Sequence, residues 1–231
     1  MELSKRLQAV ADLVTSGLRV ADIGTDHAYI PIWLVENQKI PSALAMDINR
    51  GPLEKAREHI VSHGLEGYIA TRLSDGMQKL EQGEAQSVVI AGMGGALVMK
   101  ILEAVKEKNL GIKEWILQPQ SEIRKVRAYL NDSGYRIIQE NMVLDEGKYY
   151  PMMKVVRGDS EGYSEAELCY GKNLLKDKNP VLEDFLRREL QVKTEIYNRL
   201  SDASGESAAK RAEELKSEIA VIQEALKTYD L

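Results

Sequence analysis

Two rhythms of hydrophobic and polar positions alternate over residues 1–158. Short apolar runs rich in β-branched residues occupy 19–22, 43–46, 69–72, 87–90 and 114–117. Between them lie amphipathic stretches, from Tyr29 onward and over 52–63, 97–108 and 122–131, whose apolar residues recur every three or four positions. Strand-like runs alternating with helical stretches of about 10–15 residues predict βαβ units and a parallel sheet. After Gly134 the rhythm changes to two extended runs, 135–144 and 149–157, joined by Asp145-Glu146-Gly147-Lys148, a hairpin signal. The expected domain is therefore Rossmann-like α/β, a parallel sheet closed by an antiparallel hairpin.

From residue 159 the pattern differs. Residues 159–179 read as a polar connector containing Gly162 and Gly171, and the remainder as two helices joined by Ser201-Asp202-Ala203-Ser204-Gly205. In the second helix Ala212, Leu215, Ile219, Ile222, Leu226 and Tyr229 recur at alternating spacings of three and four, a coiled-coil seam. The first offers Leu182, Leu186, Leu190, Ile196 or Tyr197, and Leu200. A short loop makes such helices antiparallel neighbours, so the expected organisation is an α/β domain over 1–158 and a helical coiled-coil hairpin over 159–231. The hairpin serves either as a structural appendage or as a grip on the substrate, and an exposed seam on it would favour self-association.

Composition narrows the classes. A single cysteine, Cys169, leaves no disulfide framework, and three histidines without metal-ligand spacing give no metal site. No apolar stretch has the length of a signal-peptide core or a membrane span, which points to a cytoplasmic protein with no membrane partner. The net charge of −5 lies entirely in residues 159–231, since residues 1–158 carry 20 basic and 20 acidic side chains. Any nucleic acid would have to be held by local basic patches.

The candidate chemistry sits where the strand-like runs end. Asp22-Ile23-Gly24-Thr25-Asp26-His27 joins the first run to a helix. Glycine there lets the backbone approach a cofactor, and the helix N-terminus adds N–H donors. Asp22 can accept from an ammonium group, which methionine-derived cofactors carry and dinucleotides lack. Asp26 stands where a dinucleotide fingerprint has its second glycine, and its carboxylate would repel a pyrophosphate. Asp47 ends the second run, where an acid takes ribose hydroxyls, whereas Asn49 is placed to cap the next helix. Ser74-Asp75-Gly76 follows the third run, with Asp75 placed to accept from an adenine amino group. Ala91-Gly92-Met93-Gly94-Gly95 follows the fourth, where methyltransferases acting on base nitrogens present the target. Singly, each string is explained as a turn, a cap or a close helix–strand contact. Acids recurring at successive carboxyl ends are the arrangement in which open α/β sheets bind ligands. An NAD-dependent oxidoreductase shares the sheet and Asp47 but not Asp26 or the closing hairpin. A catalytically silent RNA-binding or interaction module with a nucleoside pocket is the other alternative.

These strings resemble those of the TrmK family, bacterial methyltransferases acting on N1 of the adenine at position twenty-two of tRNA. The matching residues are 21–31 (Ala-Asp-Ile-Gly-Thr-Asp-His-Ala-Tyr-Ile-Pro), 46–49 (Met-Asp-Ile-Asn), 74–76, 91–95 and 117–119 (Leu-Gln-Pro). The resemblance spans the chain and implies a class I methyltransferase domain followed by a coiled-coil domain, with S-adenosyl-L-methionine as cofactor and tRNA as substrate. It implies that Asp22, Gly24, Asp47, Asp75 and Gly92 contact the cofactor, with Thr25, Asp26, Ile48, Gly76 and Met93 beside them. The catalytic candidates are Asp26, a carboxylate facing the positive charge that develops on the base, and His27 or Tyr29, holding the base. Asp26 orienting the cofactor's methionine end is the equal alternative. Adenine N1 lies on the Watson–Crick edge, so the base must be unpaired or flipped. Candidate tRNA contacts are Arg124, Lys125 and Arg127, then Lys148, Lys154 and Arg157 on the hairpin, and Arg187 and Arg188 with Lys193 and Arg199 on the first appended helix. Each of these, taken singly, is equally a solvated surface charge.

Overall fold

Strands that lie between two layers of helices have no face left for polar side chains. Such are β1 (Val20–Ile23), β2 (Ala43–Asp47), β4 (Ser87–Ala91) and β5 (Glu114–Gln118), buried along nearly their whole length. With β3 (Ile69–Leu73), β6 (Tyr135–Asp145) and β7 (Lys148–Arg157) they form one seven-stranded sheet in the order β3-β2-β1-β4-β5-β7-β6. The first five run parallel; β7 pairs antiparallel with both β5 and β6. The structure, a computed structural model, describes residues 1–201 and 205–230. It contains two compact units, Met1–Ser160 and Glu161–Leu231.

Helices α2 (Tyr29–Glu36), α3 (Arg50–Ser62), α4 (Gly95–Glu103) and α5 (Ile123–Asp132) make the connections. The amphipathic stretch expected to reach residue 108 leaves the α-helix at Glu103, because the amides of Val105, Lys106 and Lys108 bond three residues back and tighten into turns. The β6–β7 turn has Glu146 and Gly147 both left-handed, at φ 47° and 78°, the backbone whose twist matches a hairpin. An N-terminal helix that the pattern reading lacks, α1 (Lys5–Leu13), is capped by Ser4 Oγ accepting from the Leu7 amide and buries Ala9, Val10, Ala11 and Leu13.

Two expected tRNA contacts are corrected here. Arg127 is not on the surface: its side chain is 1% exposed and its Nε donates to Glu140 Oε1 at 2.9 Å, joining α5 to β6. Lys154 is held by Glu114 at 2.9 Å, a buried carboxylate that also accepts from Thr15 and Ser87. Both cations neutralise acids within the fold, and a phosphate could take them only in competition with those carboxylates.

In the second unit the expected polar connector contains two short helices, α6 (Glu165–Tyr170) and α7 (Lys172–Lys176). Ser164 and Glu167 form a reciprocal capping box at the start of α6, and Ala166, Leu174 and Leu175 are buried. The long helices α8 (Pro180–Ser201) and α9 (Glu206–Leu226) run antiparallel, as Lys193 pairing with Glu218 and the Tyr229 hydroxyl donating to the Asn179 carbonyl require. Burial is deepest at Leu182, Leu186, Leu215, Ile222 and Leu226, while Ile196 is exposed and Tyr197 half-buried, so the apolar contact is fullest at the α6 end. Of the expected joining loop, residues 202–204 lie outside the described residues.

Candidate active site

The carboxyl ends of β1 to β5 meet along one edge of the sheet. Asp22 stands in β1 opposite Ala45 and Val89 of the neighbouring strands and is 6% exposed. Burial pushes its carboxyl up to about 6; the Thr25 hydroxyl opposes that, and the charges of Asp47 and Asp26 add to it. Thr25 Oγ1 is itself buried and completes no well-formed hydrogen bond with protein. Beyond Asp22 the chain turns at Gly24, where the amides of Gly24 and Thr25 both donate to the Met46 carbonyl, at 2.8 and 3.0 Å. Gly24 has φ +72°, a conformation that favours glycine, and a Cβ there would stand 2.1 Å from the Met93 methyl and push that flexible side chain aside.

His27 and Ala28 follow with φ of 57° and 56°. Two consecutive non-glycine residues in the left-handed region are strained, and such strain gathers at functional sites. The turn presents the His27 ring, stacked on Tyr29 (centroids 5.2 Å apart, planes 7° apart) and tilted against His59 at 5.0 Å. His59 Nδ1 lies 3.2 Å from the His27 carbonyl, and His27 Nε2 is 3.3 Å from Asp26 Oδ1. The Asp26 side chain is 80% exposed. His59, in the last turn of α3, has no role in the pattern reading, because nothing local in the sequence links it to a loop 32 residues earlier.

Asp47 and Asp75 occupy the next two strand ends. Asp47 Oδ1 accepts from the Asn49 amide at 2.7 Å, and Asn49 occupies the N-cap of α3 without a side-chain cap bond. The neighbouring Ile48 is 58% exposed, an apolar side chain on the open edge. Asp75 is exposed beside Ser74, whose hydroxyl donates to the Gly76 carbonyl and organises the turn.

The β4 and β5 loops are knitted together: the Gly92 amide donates to the Gln118 carbonyl and the Gln120 amide to the Met93 carbonyl. Gly92 faces open space, whereas Gly95 serves packing, since a Cβ there would lie 2.4 Å from the Ser121 carbonyl oxygen. Arg6 of α1 reaches this corner, donating from Nη1 to Gln118 Oε1 at 3.0 Å, with its guanidinium over the Tyr150 ring.

The remaining basic candidates are dispersed. Arg124, Lys125, Lys148, Arg157, Arg187, Arg188 and Arg199 are exposed. Of these, Lys125 pairs with Glu122, Arg157 lies 4.1 Å over Tyr135, and Arg187 pairs with Glu183. Lys193 is held between Glu189 and Glu218. Among the described residues no cluster of His, Cys, Asp and Glu could hold a metal ion, and no helix is long and apolar enough to cross a membrane.

Residues 20–224 match the family model described as TrmK, tRNA (adenine(22)-N(1))-methyltransferase. A Bacillus subtilis protein of the same description is 36% identical over 98% of each chain. A Streptococcus pneumoniae structure in complex with S-adenosyl-L-methionine superposes with a TM-score of 0.85 at 33% identity, over 97% of this chain and 100% of that one. The M. capricolum TrmK in complex with S-adenosyl-homocysteine gives 0.84 at 29% identity, over 99% of each.

Proposed function

The chain belongs to the TrmK family of tRNA (adenine(22)-N(1))-methyltransferases, and from that premise we propose how its own residues divide the work. It is an S-adenosylmethionine-dependent enzyme that methylates N1 of adenine 22 in tRNA. The observation carrying the residue assignment is Asp22, an acid buried beneath the Gly24 turn beside an unsatisfied Thr25 hydroxyl. An ammonium group there lets Asp22 ionise and gives Thr25 Oγ1 its missing donor. Asp47 keeps Oδ2 clear of protein donors among the described residues and takes the ribose. Ile48, Asp75 and Gly76 bound the adenine side; Gly24, Gly92 and Met93 bound the methionine side. The residues present therefore fit the cofactor.

S-adenosylmethionine supplies the methyl group as an electrophile. Adenine N1 carries a free lone pair at neutral pH, so no residue has to remove a proton first. The chain's task is positioning. His27 and Tyr29 form a stacked surface for the unpaired base, carried on the left-handed turn at His27–Ala28. Asp26 stands beside that surface; a base lying over it shields the carboxylate from water and strengthens its attraction for the cation forming at N1. The exposed Arg124, Lys125, Lys148, Arg157, Arg187 and Arg188 are the candidates for tRNA phosphates. The reaction takes place in the cytoplasm, where tRNA is modified.

Transfer of labelled methyl to tRNA, mapped by where primer extension stops, tests this. Label at adenine 22, lost when that base is guanine, is the expected result. tRNA binding without label would favour the silent module instead.

A further inference from the structure

Arg6 is a charged side chain that the roles above leave unused. Its backbone amide donates to Asp145 Oδ2 at 3.0 Å, fixing the start of α1 on the β6 end of the hairpin. Its Nη1 donates to Gln118 Oε1 at 3.0 Å, and the guanidinium lies 5.5 Å from the centre of the Tyr150 ring. Gln118 is fully buried and its Nε2 turns to the Pro119 carbonyl, so its acceptor oxygen is committed to Arg6. A carbon on Gly92 would stand 3.7 Å from both Arg6 Nη1 and Gln120 Nε2; both side chains therefore flank the exposed Gly92 at the β4 end. Among the described residues no carboxylate lies within ion-pair distance of the guanidinium, and no other protein acceptor meets it.

A half-buried guanidinium held by one neutral amide keeps four N–H donors, in the planar fork that matches an oxyanion. We propose that Arg6 is the oxyanion anchor of this site, a positioning residue that takes a carboxylate or phosphate in front of Gly92. This rests on the methyltransferase reading, whose reactants bring two such groups to this corner: the carboxylate at the cofactor's amino-acid end, and the phosphate of the nucleotide carrying the target base. The base is not its partner, because methylation at N1 makes the base a cation.

Full-length Arg6→Gln and Arg6→Lys separate the two sources. Calorimetry measures the affinity for S-adenosylhomocysteine and for 5′-methylthioadenosine, which lacks the amino-acid end; methyl transfer measures KM for tRNA and kcat across a salt series. If the cofactor carboxylate is the ligand, Arg6→Gln weakens S-adenosylhomocysteine binding about ten-fold or more, leaves methylthioadenosine unchanged, and Arg6→Lys falls between. If a phosphate is the ligand, S-adenosylhomocysteine binding is unchanged, KM for tRNA rises, and the salt slope falls by about one. Methylthioadenosine weakening in step, kcat alone falling, or both variants matching the wild type would overturn the proposal. A wild type that neither binds S-adenosylhomocysteine nor methylates tRNA would defeat the functional reading itself.

Discussion

Burying Asp22 has a cost that depends on pH. Its carboxyl holds a proton more tightly folded than unfolded, since burial raises it from 3.8 to about 6. Stability from this group is therefore fully present below about pH 4 and is lost as pH rises through about 6. At 1.36 kcal/mol per pH unit, the ionised side chain costs the cofactor-free fold about 3 kcal/mol at pH 7. Asp22→Asn removes that titration. Urea unfolding of both proteins from pH 4 to 7.5, without cofactor, should show the variant gaining on the wild type by about 2 kcal/mol across the range, whatever offset the new amide introduces. Binding should move oppositely: losing a charge-assisted hydrogen bond to an ammonium group is worth roughly 10- to 150-fold in S-adenosylhomocysteine affinity. Wild-type affinity should also decline below about pH 6 as Asp22 takes up its proton. Parallel stability curves for the two proteins would refute the account.

Asp26→Asn should lower saturated turnover by about 5- to 1000-fold while leaving S-adenosylhomocysteine affinity intact, the range spanning about 1 kcal/mol for a solvated contact at 4 Å to about 4 kcal/mol for one covered by the base. Weaker cofactor binding with unchanged turnover would instead give Asp26 the cofactor's methionine end. Arg127→Ala should cost about 3–5 kcal/mol in denaturant unfolding by stranding Glu140, whereas Arg127→Met with Glu140→Leu recovers much of it; a normal fold with weaker tRNA binding would return Arg127 to the tRNA surface. Gly95→Ala forces a methyl against the Ser121 carbonyl and should destabilise by about 1–3 kcal/mol in the same assay.

The parallel strands are legible because burial on both faces writes itself as unbroken apolar runs, as in Val88, Val89 and Ile90. The positions of Asp22 and Asp47 at strand ends are legible for a related reason: each acid breaks an apolar run near where the strand stops. Arg6 and His59 are not legible, because their partners, Gln118 and the His27 carbonyl, lie 112 and 32 residues away. Helix α1 stays hidden likewise, since β5, β6 and β7, which cover it together with α2, lie far along the chain. The error at Arg127 has a similar origin, since a buried cation and an exposed one look alike until the acid opposite, Glu140, comes into view.

The bond from the Arg6 amide to Asp145 joins residues 139 apart, and Lys154 contacts Thr15 across the same span. Helix α1 therefore meets α2 first, with the Lys39 ammonium donating to the Ala11 and Asp12 carbonyls, and gains the rest of its docking surface only when the closing hairpin has been made. At about 5–20 residues per second, that interval lasts roughly 7 to 28 s. During it α1 lacks its cover from β5, β6 and β7, and the Arg6 corner of the pocket is unbuilt. Nascent chains that stop before β6 would thus hold their glycine turns without a finished site, and chaperone contacts should concentrate on the α1 face that the hairpin later covers.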